Sequence, residues 1–151
     1  MKLDLLNHID NTVPKVLKRF DFPKLYEGKV LSVDKGIEEQ LWNELTDRKI
    51  IQPYSLNSDE LSEFESFDFS NNYEKVSKRL RKLGCGDERL LLIWNSEFNA
   101  VTTDLKTLTS NWEEFYQPSS DDLIIMQDTL EWIVYLSHFE VFMFGKIRNS
   151  L

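Results

Sequence analysis

The longest apolar segments of the chain lie in its second half and predict β-strands. Residues 89–95 read RLLLIWN, a near-continuous apolar run typical of a strand that is covered on both faces. Residues 99–103, NAVTT, follow a few turn residues and are predicted to return as its antiparallel partner. Three further runs, DLIIM, LEWIVYL and EVFMFG, follow one another with short links. Consecutive strands with short links pair antiparallel, so these runs predict one sheet.

A helix is predicted between the second and the third of these strands. Asp104 is placed to cap it, and apolar residues recur at helical spacing from Leu105 to Phe115. Pro118 prevents the helix from continuing. The second half of the chain therefore predicts the order ββαβββ.

Apolar stripes at helical spacing also predict three helices in the first half of the chain. The first covers residues 13–20 after Thr12, and the second follows Ser32 or Asp34 as its N-cap. The third covers residues 73–83 and carries basic side chains on its polar face. Lys and Arg late in a helix oppose its dipole, so this basic cluster also has a purely structural explanation.

Residues 58–72, SDELSEFESFDFSNN, mix apolar and acidic side chains without a clear period. A short helix at 58–65 capped by Ser58 and an irregular loop held by its aromatic side chains are both compatible with this pattern. The whole pattern predicts an α+β fold, with a helical N-terminal half packed on a mainly antiparallel ββαβββ sheet. A length of 151 residues fits a single domain, 1–151.

The formal charge of −8 is divided into blocks along the chain. Residues 50–74 carry six acidic side chains and no basic one, and residues 90–151 carry nine acidic and three basic ones. Residues 75–89 are instead basic, with six Lys or Arg against two acids. Because nucleic-acid phosphates require Lys and Arg, the acidic balance argues against direct binding of nucleic acid.

The sequence predicts neither a signal peptide nor a membrane-spanning helix. The first residues, MKLDLLNHIDNTVPK, contain no uninterrupted apolar run, and no stretch approaches the roughly 18 apolar residues of a membrane helix. The single cysteine, Cys85, excludes an intramolecular disulfide and suits a reducing compartment. We therefore expect a cytoplasmic protein without contact to a membrane.

No specific catalytic, cofactor or metal motif is present. His8 and His138 lie far apart and outside any zinc pattern, and Cys85 has no neighbouring histidine to act as its base. The five glycines do not form a P-loop or a dinucleotide fingerprint. Asp121 and Asp122 are a candidate pair of carboxylates for a metal or for acid–base chemistry, although PSSDD is also ordinary turn sequence. We predict no enzyme, no cofactor and no metal.

A surface for a basic protein partner is the remaining prediction. Acidic side chains supply steering and charge-assisted hydrogen bonds, and aromatic rings supply buried area. Some of the aromatic residues must instead be core, because strand residues alternate between faces. The predicted partner-binding residues are Asp59, Glu60, Glu63, Glu65, Asp68, Glu113, Glu114, Asp121, Asp122, Asp128 and Tyr116.

The second half of the chain also resembles a known group of protein families. RLLLIWN is followed by NAVTTDLKTLTSNWEEFYQPSSDDLIIM, with W-x-x-F before P-x-x-D-D, and by strands that end VFMFG. In this part, mainly residues 89–146, the chain resembles the immunity proteins that bacteria pair with polymorphic or contact-dependent-inhibition toxins. The resemblance implies a monomeric inhibitor that forms a 1:1 complex with a toxin domain, often a cationic nuclease, and it implies no catalytic residues. The basic helix at 75–82 departs from a uniformly acidic surface and leaves the binding face open.

The sequence thus predicts an immunity-type inhibitor that neutralises a basic, nuclease-like toxin domain by electrostatic and aromatic contacts. Two alternatives from other classes stay open. One is a small metal-dependent hydrolase that uses Asp121 and Asp122, and the other is a non-catalytic subunit of a larger assembly.

Overall fold

The computed structural model describes residues 2–19, 28–95, 98–149 and 151. Within these residues an antiparallel sheet has the order β1-β6-β5-β7-β8-β9-β4, and β2 and β3 form a separate hairpin. The strands are β1 Leu31–Ser32, β2 Ile51–Gln52, β3 Ser55–Leu56, β4 Leu61–Asp68, β5 Arg89–Trp94, β6 Val101–Asp104, β7 Leu123–Gln127, β8 Trp132–Leu136 and β9 Val141–Ile147. The helices are α1 Val16–Arg19, α2 Lys35–Asp47, α3 Glu74–Arg81, α4 Leu105–Ser110 and α5 Trp112–Phe115, and short 3-10 turns form at Leu5–His8 and Ser58–Glu60.

Both faces of the sheet are covered, which explains why β5 is apolar at almost every position. Leu90, Leu92 and Trp94 enter one hydrophobic cluster together with residues of α3, α4 and α5. Leu91 and Ile93 enter a second cluster with residues of α2, of the hairpin β2–β3 and of the N-terminal 3-10 turn. The strand alternation therefore sends successive side chains into two different cores.

The α+β class, the antiparallel sheet and its central strand are confirmed. β5 pairs with both β6 and β7, and β7, β8 and β9 follow as consecutive antiparallel neighbours. Asp34 caps α2 by accepting a hydrogen bond from the Gly36 N–H, as one of the two predicted caps. Asp104 caps α4 by accepting from the Thr107 N–H, also as predicted. The predicted single helix is interrupted at Asn111, which separates α4 from α5.

The helical N-terminal half is not confirmed, because four of the strands lie before α3. β1 and β4 extend the predicted ββαβββ sheet at its two edges. Residues 58–65 contain neither a helix of that length nor an irregular loop, since a 3-10 turn is followed at once by β4. Of the first predicted helix only Val16–Arg19 is helical, and Phe20 lies outside the described residues.

Candidate functional site

The acidic residues of the 59–68 segment lie on or just before β4, an edge strand that pairs only with β9 among the described strands. Asp59 and Glu60 are exposed in the 3-10 turn. The Asp68 carboxylate accepts hydrogen bonds from the hydroxyl and the N–H of Ser70, at 2.6 and 2.8 Å, and these bonds lower the pKa of Asp68. Charged side chains on an edge strand also discourage edge-to-edge pairing, so part of this acidity has a role in the fold itself.

Two further acids of β4 are engaged by basic side chains of the same chain. Glu63 forms an ion pair with Lys146 of β9 at 2.5 Å. Glu65 forms an ion pair with Arg79 of α3, whose guanidinium also lies over the Phe144 ring, 4.4 Å from its centroid. The basic helix therefore neutralises part of the acidic strand, and the two charge blocks of the sequence are neighbours in the fold.

The other predicted partner-binding residues lie on elements other than β4. Glu113 and Glu114 lie on α5, exposed and half-buried respectively. Asp128 lies at the far end of β7, where its carboxylate is 3.9 Å from Lys2 Nζ. Tyr116 is a core residue, and its hydroxyl donates a 2.6 Å hydrogen bond to the Ser137 carbonyl. Burial, followed by nearby charges, raises the pKa of Tyr116.

Asp121 and Asp122 are buried, with 1% and 3% of their surface exposed. The prediction that they contribute to an open surface is therefore corrected. The Asp121 carboxylate accepts from the Gln117 N–H at 2.8 Å, whereas that of Asp122 accepts from Asn95 and His138. These hydrogen bonds turn the two carboxylates toward different parts of the chain. Among the described residues, no group of three or more His, Cys, Asp or Glu side chains is placed to hold a metal ion.

Asp122 is the buried centre of a partly buried polar network. Its Oδ2 accepts from Asn95 Nδ2 at 3.0 Å, and its Oδ1 accepts from the backbone N–H and from Nδ1 of His138 at 2.9 and 3.0 Å. The Tyr135 hydroxyl donates to the same carboxylate, and burial together with this charge raises the pKa of Tyr135. Four donors use the hydrogen-bonding capacity of the two oxygens, which explains how this charge is tolerated inside the fold.

Exposed aromatic side chains lie directly around this network. Trp42, Tyr54 and Phe139 are 38%, 58% and 63% exposed, and they are three of the five large apolar side chains found exposed in the described part of the chain. Tyr54 makes edge contacts with the rings of His138 and Phe139, with centroids 5.0 and 6.2 Å apart. We call Trp42, Tyr54, His138 and Phe139 the aromatic surface.

Two tight turns and one helix present the aromatic surface. Tyr54 follows Pro53 in the turn between β2 and β3, with φ of +66°. Phe139 lies in the turn between β8 and β9, where Glu140 has φ of +61°. A bulky residue at positive φ is strained by about 1–3 kcal/mol, and such strain is concentrated at functional sites. The formation of this turn therefore does not by itself explain why a tyrosine occupies position 54.

A cleft of about 310 Å³ opens between Trp42 and Tyr54. Asn95, Asp122 and Tyr135 also line it, so the buried network forms part of its wall. A second cleft of about 370 Å³ shares Trp42 and Asn95 with the first. Large exposed aromatic side chains beside concave surface are typical of the anchoring regions of protein interfaces.

Sequence reasoning did not single out Trp42, Tyr54 or Phe139 as partner-binding residues. The available signal was the aromatic side chain in a turn, since turn positions favour small or polar residues. Tyr54 after Pro53 and Phe139 after His138 both carry that signal.

No known protein-family model matches the chain, and no curated protein is similar to it in sequence. Within the described residues, every helix is too short or too polar to cross a membrane.

Proposed function

We propose that this chain is an immunity-type inhibitor that binds a basic toxin domain in the cytoplasm and blocks its activity. The observation that carries the proposal is the exposure of Trp42 and Tyr54 on one cleft, with the exposed Phe139 in ring contact with Tyr54. Interfaces derive most of their affinity from a few aromatic and arginine anchors, whereas scattered exposed apolar residues have no such meaning. Three large rings at one end of the sheet suit such an anchor.

The acidic balance of the chain supports a basic partner. A formal charge of −8 on 151 residues attracts a cationic surface over distance and accelerates its association. Asp59 and Glu60 are exposed and have no ion-pair partner among the described residues, so their charges are fully available for steering. Glu63 and Glu65 contribute less, because Lys146 and Arg79 offset them.

The proposed complex contains one copy of each protein and involves neither nucleic acid nor a membrane. The inhibitor acts by covering the partner's active site or the path of its substrate. Asp122 remains in this assignment as a residue that lines the cleft. Tyr116 and Asp121 are buried and leave the partner surface of the sequence prediction. The aromatic surface replaces them as the contact region.

The test is site-specific photo-crosslinking in the native host. A photoreactive phenylalanine is placed at Tyr54, and a matched variant carries it at Lys82, which is exposed at the end of α3 on the other side of the sheet. We expect a protein captured from position 54 and not from position 82. Expression of the captured protein's toxic domain should arrest growth, and co-expression of this chain should restore it.

Rescue must also depend on the aromatic surface. Trp42→Ala and Tyr54→Ala together should abolish rescue, while Lys82→Ala should leave it intact. Equal capture from both positions, or a captured domain whose toxicity this chain does not change, would contradict the proposed function.

A further inference from the structure

The cleft between Trp42 and Tyr54 combines two features that are rarely adjacent. Its lining is partly aromatic, with Trp42 and Tyr54, and Ile51 and Pro53 add apolar surface. Asp122 and Tyr135 also line it. A cleft lined by aromatic side chains and by an acidic residue suits an organic cation, because aromatic rings and a negative charge both attract one.

The charge of Asp122 is not balanced by Lys or Arg within the described residues. Its carboxylate accepts hydrogen bonds from Asn95, Tyr135 and His138, and of these three only His138 can carry a positive charge. A buried carboxylate held by mostly neutral donors leaves a negative potential, and the low dielectric of the surrounding protein focuses that potential into the cleft.

A cation in the cleft can also find hydrogen-bond acceptors. Tyr135 donates its hydroxyl proton to Asp122, so its oxygen lone pairs remain able to accept. Asn95 Oδ1 already accepts from the Asp122 N–H at 3.0 Å and has a second lone pair. Tyr135 and Asn95 therefore add hydrogen-bond acceptors to the lining of the cleft, beside the carboxylate of Asp122.

We propose that this cleft binds the guanidinium group of an arginine supplied by the partner protein. Guanidinium is planar, stacks on aromatic faces and is weakly hydrated, so it suits this site better than the ammonium of lysine. A volume of about 310 Å³ accommodates one such side chain and not a folded segment. The source of the arginine rests on the proposed function, whereas the chemistry of the cleft is testable without a partner.

The test uses a small probe and the four tryptophans as reporters. Nα-acetyl-arginine methylamide is titrated into the ¹⁵N-labelled chain while the indole N–H signals are followed, with the citrulline analogue as the uncharged control of equal shape. Trp94, Trp112 and Trp132 are buried and donate to Phe115 O, Ser77 Oγ and Gln127 Oε1, so they act as internal references. We expect a saturable shift of the Trp42 signal alone, with binding at least about tenfold weaker for citrulline.

Variants assign the shift to the cleft. Asp122→Asn removes the charge and should weaken arginine binding by about tenfold or more. Because this residue is buried, Tyr54→Leu provides a second variant at an exposed position, and it should weaken binding through loss of the ring face. Val13→Ala changes an apolar residue that is also exposed but does not line the cleft, and it should leave the titration unchanged.

Equal shifts with arginine and citrulline, a shift shared by all four indoles, or no saturable shift would overturn the proposal. Its failure differs from failure of the proposed function. Capture and rescue without arginine binding would remove the guanidinium site and leave the inhibitor. Arginine binding without capture or rescue would contradict the inhibitor and, with it, the partner as the source of the cation.

Discussion

Asp122 Oδ1 accepts two hydrogen bonds from His138, one from the backbone N–H at 2.9 Å and one from the imidazole Nδ1 at 3.0 Å. An ionised carboxylate only accepts, so the ring nitrogen that faces it carries a proton. The pair connects the start of β7 with the turn between β8 and β9. That turn contains Phe139. The buried Asp122 therefore holds in place a segment that carries part of the exposed aromatic surface.

We expect Asp122→Ala to lower the free energy of unfolding by about 2–4 kcal/mol. The substitution removes the acceptor of the buried Tyr135 and of part-buried hydrogen bonds from Asn95 and His138. Urea denaturation followed by tryptophan fluorescence measures the change. Asp59→Ala, at an exposed acid, is the matched control and should stay within about 0.5 kcal/mol of the unsubstituted chain. Equal midpoints for the two variants would contradict a structural role for the Asp122 network.

The contact of Glu65 with Arg79 should be measurable as a coupling energy. A double-mutant cycle with alanine at both positions is expected to give about 0.5–1 kcal/mol, because both side chains are only partly shielded from solvent. Arg79→Ala should cost more than Glu65→Ala, since it also removes the guanidinium from the Phe144 ring. The same cycle on Glu63 and Lys146 provides a more exposed comparison and should give a smaller value. A coupling near zero for the first pair would show that α3 does not neutralise β4.

The strands that were predicted and β4, the longest of those that were not, differ in how regular their pattern is. β5 is apolar from Leu90 to Trp94 because both of its faces are covered, and this continuous run is visible in the sequence. In β4 the register with β9 shifts between Ser62 and Glu65, and Glu63 has φ of +52°. A bulge of this kind breaks the period of two, so the apolar residues on either side of it fall out of phase. The acidic residues of an edge strand then make the segment resemble a loop.

The candidate site was predictable only in part, because burial of polar residues depends on distant contacts. Asp121 and Asp122 follow PSS, and such residues are usually exposed in turns. Asp122 is buried against Asn95 and His138, which the topology brings together from two other connections. Tyr54 and Trp42 come from separate elements as well, and no spacing in the sequence relates them to the turn after β8. The acidic character of the chain was predictable, whereas the position of its aromatic surface was not.

Gly145 is required by the close approach of β9 to Leu61. A Cβ added at this glycine would lie 2.6 Å from Leu61 Cδ1 and 2.8 Å from Leu61 Cβ. We expect Gly145→Ala to cost about 1–3 kcal/mol of stability, because the packed strands must move apart. The cost should be smaller in a Leu61→Ala background, which removes the nearest atom but keeps the Cβ contact. Additive effects of the two substitutions in urea denaturation would contradict this steric explanation.

Glu88 should give the protein a component of stability that is lost in acid. Burial raises the pKa of Glu88, but hydrogen bonds from the Cys85 thiol and from the N–H groups of Gly86 and Cys85 outweigh it and lower the pKa to about 2. A depressed pKa means that the carboxylate stabilises the fold above the unfolded value of 4.5 and loses this effect as pH falls toward about 2.

Glu88→Gln removes that titration. The stability difference between the unsubstituted chain and Glu88→Gln should therefore be constant above about pH 4.5 and shrink progressively below it. Urea denaturation across this range measures the difference, and Glu60→Gln, at an exposed acid, is the control. A difference that does not change with pH would show that the loop of Cys85 and Gly86 does not hold the ionised form.

Electrostatic steering and aromatic anchoring should affect different rate constants for binding to the toxin domain that is captured by crosslinking from position 54. Asp59→Asn with Glu60→Gln removes two exposed charges and should slow association, with little effect on dissociation. Trp42→Ala removes an anchor and should accelerate dissociation instead, because contacts at the centre of an interface determine the lifetime of the complex. Stopped-flow measurements at several salt concentrations distinguish the two, since only the association rate should fall as salt shortens the screening length below about 8 Å. An association rate that is independent of salt and of Asp59 and Glu60 would leave the aromatic surface as the anchor and remove electrostatic steering from the mechanism.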